Sequence, residues 1–139
     1  MYRNCVKSNK AALPTGGHGE LILVIDDEEA LLDLAKMMLE RRGYVVITAH
    51  NGLEGIARFK ENPDEIKLII TDSDMPHLNG TGVIRAIREL KPDIPVILSS
   101  GFQPDTAEFQ KNDPVRLQSL EKPFSLDQLL TAVEKGLHH

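Results

Sequence analysis

An open, doubly wound α/β sheet of five parallel strands, in the order 2-1-3-4-5 with helices on both faces, is the fold this 139-residue sequence predicts. Three observations lead there. Uninterrupted apolar runs such as Leu21-Ile22-Leu23-Val24-Ile25 suit parallel strands buried on both faces. Amphipathic segments at helical spacing separate these runs, so strands and helices alternate along the chain. The runs also end in polar residues, which this strand order gathers in the crevice at the carboxyl ends of the strands.

Residues 1 to 19 show no periodicity and close on Pro14-Thr15-Gly16-Gly17-His18-Gly19, which reads as a flexible linker or tail left from a connection to a preceding domain. The folded domain is expected over residues 20–137. Its first strand is Leu21 to Ile25, followed by Asp26-Asp27. A helix is expected over Glu29 to Arg41, with Leu31, Leu34 and Met38 on its inner stripe and Gly43 as its stop. Tyr44 to Ala49 is β-branched and predicts the second strand. Asn51 then caps a helix whose inner face is Leu53, Ile56 and Ala57.

The third strand, Leu68 to Thr71, delivers Asp72 to the rim, and Pro76 stops anything regular from continuing. Val83, Ile84, Ile87 and Leu90 mark the third helix, ended by Pro92. Pro95 opens the fourth strand, Val96 to Ser99, with Ser100-Gly101 beyond it. Pro104 to Lys111 predicts a short fourth helix, broken by Asn112-Asp113-Pro114. A weak fifth strand, Leu117 to Glu121, leads to Lys122-Pro123. Ser125 caps the last helix, whose stripe is Leu126, Leu129, Leu130, Val133 and Leu137. His138-His139 reads as a tail or tag remnant.

Composition narrows the function classes. The chain is 41% hydrophobic and long enough for one domain with a real core. It has no run of 18 apolar residues and no signal-like apolar region at its start, so membrane contact is not expected and the cytoplasm is. A single cysteine, Cys5, agrees with a reducing compartment and reads as a bystander. Net charge is −5 with no basic run, which leaves direct nucleic-acid binding without an electrostatic footprint. Residues 1 to 19 hold Arg3, Lys7 and Lys10 and no acid, so the acidity sits in the folded part, as suits capture of a cation.

The chemistry converges on Asp72. A lone acid at a strand end is ordinary, but here two more carboxylates, Asp26 and Asp27, follow the neighbouring strand. Capping the next helix would need only one of them. Oxygen-only ligands suit Mg²⁺, which binds through one or two carboxylates and keeps several waters. An aspartate on such a rim can accept a phosphoryl group. Lys122 is placed to pair with the acids at rest and later with a phosphoryl oxygen. Ser100 can donate its hydroxyl to the same group, Gly101 keeps the approach open, and Pro123 is a candidate for a cis peptide bond.

Taken together, Asp26-Asp27, Asp72, Met75-Pro76, Gly80, Ser100-Gly101 and Lys122-Pro123-Phe124 resemble the receiver domain of two-component response regulators, in order and spacing, over about residues 20 to 137. The resemblance implies the flavodoxin-like fold and transfer of a phosphoryl group onto Asp72 from a histidine kinase or histidine phosphotransfer protein. It implies Mg²⁺ (with Mn²⁺ as a substitute) on Asp27, Asp72 and the backbone carbonyl of Asp74, with Asp26 acting through a water. Ser100 and Lys122 would hold phosphoryl oxygens. A homodimer through the fourth helix, fifth strand and fifth helix is a further implication, as is origin as the C-terminal receiver of a hybrid sensor kinase or as a stand-alone receiver. On this reading the chain is no enzyme beyond its own phosphorylation and dephosphorylation.

Two positions depart from the family pattern. Ser119 stands where the family often has a switching Tyr or Phe, so output would use another element. Asp74 adds an acid next to the site, with two opposed expected effects: it raises the carboxylate pKa values and disfavours anionic donors, and it strengthens cation binding. Two rivals remain. Asp72-Ser73-Asp74 is similar to the nucleophile motif of haloacid-dehalogenase-like phosphatases, although there the acidic pair comes last and a cap domain is needed. The other is a receiver-like binding module that is never phosphorylated.

Overall fold

The computed structural model describes residues 17–101 and 117–138. The helix expected over Pro104 to Lys111, the tail before Gly17, and His139 lie outside these residues. Among the described residues the elements run β1 (Leu21–Ile25), α1 (Glu29–Glu40), β2 (Val45–Ala49), α2 (Gly52–Glu61), β3 (Ile66–Asp72), α3 (Gly80–Leu90), β4 (Val96–Ser100), β5 (Leu117–Glu121) and α4 (Leu126–Leu137). All four strand pairings are parallel, and the order is β2-β1-β3-β4-β5.

Alternation along each strand splits the core in two. Leu23, Ile25, Ile69 and Leu98 pack with Phe59 of α2 and Val83, Ile84 and Ile87 of α3. Ile22, Val24, Ile70 and Ile97 point the other way, against Leu32 and Leu39 of α1 and Leu129, Leu130 and Val133 of α4. Crossover helices therefore cover both faces, as a parallel sheet requires. The expected caps at Asn51 and Ser125 form, and Asn79 adds one that was not expected. Asn51 accepts the Glu54 N–H at 2.8 Å, and Asn79 accepts that of Gly82 at 3.0 Å. Ser125 and Gln128 form a reciprocal capping box at the start of α4. Gly43, at φ 93°, turns the chain after α1.

Two expected helix faces are rotated. In α1 the fully buried residues are Leu32 and Leu39, while Leu34 is 44% exposed and Leu31 and Met38 are half-buried. Six leucines and methionines crowd this helix, so the pattern holds more than one candidate stripe and the contacts choose between them. In α2 the inner face is Gly52, Gly55 and Phe59, with Ile56 half-buried. Leu53 is 67% exposed, and Ala57 also faces out. The reason is close approach. A Cβ on Gly55 would overlap the side chain of Ile25, so glycines let α2 sit directly on β1. Leu90, expected on the α3 stripe, is 51% exposed at the helix end.

Strand bounds shift slightly. β2 begins at Val45, with Tyr44 buried just before it. β3 starts two residues earlier than expected, at Ile66, and β4 runs one further, to Ser100. That last residue matters, because it brings the end of β4 level with Glu121 and the start of the Lys122 loop.

Candidate functional site

Register builds the site before any side chain is considered. Ile25 of β1 lies beside Thr71 of β3, so one residue further Asp26 and Asp72 leave the sheet side by side. Asp72 in turn pairs in register with Ser99, and Ser100 with Glu121. The backbone then pins the corner. Ser73 N–H donates to the Ser99 carbonyl at 2.7 Å, and Gly80 N–H donates to the Ser73 carbonyl at 3.1 Å. Lys122 N–H donates to the Ser100 carbonyl at 2.7 Å. The peptide bond between Lys122 and Pro123 is cis.

Carboxylate oxygens of Asp26, Asp27 and Asp72 lie within 4.8 Å of one another. Lys122 Nζ bridges two of these acids, at 3.2 Å from Asp26 Oδ2 and 3.2 Å from Asp72 Oδ1. Asp26 and Asp72 are both 6% exposed, whereas Asp27 faces solvent. Asp26 has a second task as well, accepting the Glu28 N–H at 2.9 Å ahead of α1. It is thus a turn-former and a site acid at once, and Glu28, the N-cap of α1, makes no side-chain cap of its own.

Three carboxylates face one ammonium, so two negative charges stay uncompensated in a half-buried pocket. That is the charge and donor set a hard divalent cation needs, and it fits Mg²⁺. The titration behaviour reflects the crowding. Burial, then the charge of Asp26, pushes Asp72 above the usual carboxylate value of 3.8, against the opposing pull of Lys122 and of the Asp74 backbone N–H. Lys122 is raised above 10.5 because Asp26 and Asp72 more than offset the cost of burying its charge.

Asp74 sits two residues beyond the acceptor and faces solvent, where water screens its side chain. Burial and Asp26 are what raise Asp72, while Asp74 works the other way through its N–H. Ser100 is 2% exposed at the β4 end, with its carbonyl on Lys122. Ser119 is exposed on β5 in register with Leu98, away from the acids. Sequence reasoning missed Ser99, which is buried beside Asp72. The tandem serine ending an apolar run was the available signal.

Two expected results follow from this geometry. Gly80 sits under the acceptor corner, where an added Cβ would lie 2.5 Å from the Asp72 carbonyl oxygen and 2.9 Å from Ser73 Cα. Backbone cannot swing aside, so Gly80→Ala should cost about 1–3 kcal/mol in urea denaturation. Asp72→Asn should act oppositely in metal-free protein. A raised folded pKa means that ionised Asp72 opposes folding at pH 7. The variant should therefore melt roughly 2–5 °C higher in a chelator at neutral pH. The gain should shrink as pH falls through the raised pKa toward 3.8, where wild-type Asp72 also becomes neutral.

Comparison with known proteins agrees with this architecture. A family model described as the response regulator receiver domain matches residues 22–134. Sensor kinase CckA of Brucella abortus is 35% identical over 118 residues, covering 84% of this chain, and the chain spans 12% of that kinase's length. A response regulator receiver domain protein from Clostridium thermocellum superposes with a TM-score of 0.77 at 33% identity, covering 84% of this chain and 93% of that one. The response regulator TrrA of Thermotoga maritima, solved in complex with Mg²⁺ and BeF, gives a TM-score of 0.72 at 31% identity, covering 85% of this chain and 99% of that one.

Proposed function

Because the chain belongs to the response regulator receiver domain family, whose members are phosphoacceptor signalling switches, we propose that Asp72 is the residue phosphorylated here. The observation that supports this most is the bridge of Lys122 to both Asp26 and Asp72, 3.2 Å from each, beside the third acid Asp27. Such a bridge holds the acceptor in place, leaves two charges for a cation, and puts an ammonium where phosphoryl oxygens would arrive.

In the proposed step, a carboxylate oxygen of Asp72 attacks phosphorus of a phosphohistidine. The O–P bond forms as the P–N bond breaks, and the histidine nitrogen leaves with that electron pair and takes up a proton. Lys122 then passes from the carboxylate to a phosphoryl oxygen, and Ser100 offers its hydroxyl to another. Asp27, Asp72 and the Asp74 carbonyl, with Asp26 through a water, would hold Mg²⁺, which would supply positive charge against the anionic donor and acceptor. Mn²⁺ would serve in its place.

The added charge on Asp72 biases a two-state equilibrium of the domain. Ser119 has no ring to swing, so the output uses another element of the face made by the expected fourth helix, β5 and the final helix. The donor is a histidine kinase or histidine phosphotransfer protein, and the chain performs no reaction beyond its own phosphorylation and dephosphorylation. The reading includes a homodimeric face on the expected fourth helix, β5 and the final helix α4, and a cytoplasmic setting without direct nucleic-acid contact. It also includes origin in a longer hybrid kinase, in line with the similarity to part of CckA. The decisive experiment is intact-mass analysis after incubation with Mg²⁺ and acetyl phosphate, in wild type and Asp72→Asn. Steady turnover of a small phosphate ester would instead favour a haloacid-dehalogenase-like phosphatase, and an unmodified chain would favour a binding module.

A further inference from the structure

A cleft of about 400 Å³ opens between α1 and the Lys122–Phe124 segment, on the side of the sheet away from α2 and α3. Its walls are apolar, formed by Leu31, Leu34, Ala35 and Met38 of α1 opposite Phe124 and Leu129. Its polar lining residues are Asp26, Ser99 and Lys122, with Lys122 Nζ 3.2 Å from Asp26 Oδ2. We propose that this cleft is a binding site for a neutral, largely apolar small molecule with one hydroxyl head, and that its occupancy regulates the acid site through Lys122.

Three observations select that ligand class. The volume lies within the range of about 300–1,000 Å³ typical of small-molecule sites, and apolar walls with a few convergent polar groups are their usual lining. In the metal-free protein the charge at these polar residues disfavours an anion, since the acids clustered around Asp26 outnumber the one ammonium. A hydroxyl can both donate to a carboxylate and accept from Lys122 or Ser99 without bringing a charge into the apolar walls.

The space itself depends on Ala35. This small residue sits between Leu31 and Met38 on the α1 wall, where a larger side chain would fill the gap. Regulation follows from shared occupancy. Lys122 lines the cleft and also binds Asp72 at 3.2 Å. A molecule that contacts Lys122 in one position and not in another shifts its distribution, and the acid site must in turn alter the affinity of the cleft. This regulatory half rests on the phosphoacceptor reading, whereas binding itself does not.

The test uses the full chain with methyl-labelled methionine and two probes, 1-octanol and octanoate. Octanol should shift the Met38 methyl resonance saturably, and octanoate should not. Ala35→Phe should lose the octanol response, and Leu34→Gln, which makes one exposed wall polar, should weaken it severalfold while melting like wild type. With octanol bound, the rate of acetyl-phosphate labelling should change in wild type and stay constant in Ala35→Phe. A non-saturable octanol response, equal binding of octanoate, or unchanged octanol binding in both variants would overturn the site. Saturable binding with an unchanged labelling rate would overturn the coupling alone, and failure of labelling without any ligand would instead count against the phosphoacceptor reading.

Discussion

Incubated with Mg²⁺ and acetyl phosphate, this protein should gain one phosphoryl group, and Asp72→Asn should gain none. The direction follows from the register, which sets Asp72 beside Asp26 at the open end of β3, and from Lys122 lying 3.2 Å from both. The adduct should be lost on raising the pH, as an acyl phosphate is, which separates it from phosphoserine at Ser99 or Ser100. Lys122→Met should still fold, because a linear apolar side chain can lie along the cleft wall. Its labelling should fall about 10²-fold or more, the usual effect of removing one preorganised donor to developing charge. Equal labelling of Asp72→Asn and wild type would move the acceptor elsewhere and end the proposal for this site.

Magnesium should also stabilise the folded chain by a large amount. Three carboxylates with oxygens within 4.8 Å are a feature of the folded state, since Asp72 is far from the Asp26-Asp27 pair in sequence. A cation that binds only the folded form contributes about 2.7 kcal/mol once its free concentration is 100 times its Kd. For a domain of this size that corresponds to a rise in Tm of roughly 10 °C. Asp27→Asn should remove most of the shift while leaving the metal-free melt nearly unchanged, because Asp27 is exposed and outside the Lys122 bridge. A Tm indifferent to millimolar Mg²⁺ would show that the carboxylates do not act as one site.

Much of this was legible from local patterns. The caps at Asn51 and Ser125, the stop at Gly43 and the all-apolar strands each act within a few residues, so the chain announces them directly. The helix faces were harder to read. Leu53 follows the expected spacing and yet is 67% exposed, because Gly55 lets the helix close onto Ile25 of β1 and Gly52 onto Leu78 and Val83. A hydrophobic pattern scores side chains, and it has no term for the advantage of lacking one. The α1 stripe failed for the converse reason, an excess of apolar residues among which packing had to choose.

The identity of the chemical groups was therefore written in the sequence: three acids, a serine and a lysine, each just past an apolar run. Their division of labour was not. Only the fold decided that Asp26 rather than Asp27 shares Lys122 with Asp72, and that Asp26 also holds the start of α1. The physical reason is reach. Propensity and capping act over a single turn of chain, whereas burial and Coulomb interactions depend on distances that exist only once strands far apart in sequence lie side by side in register.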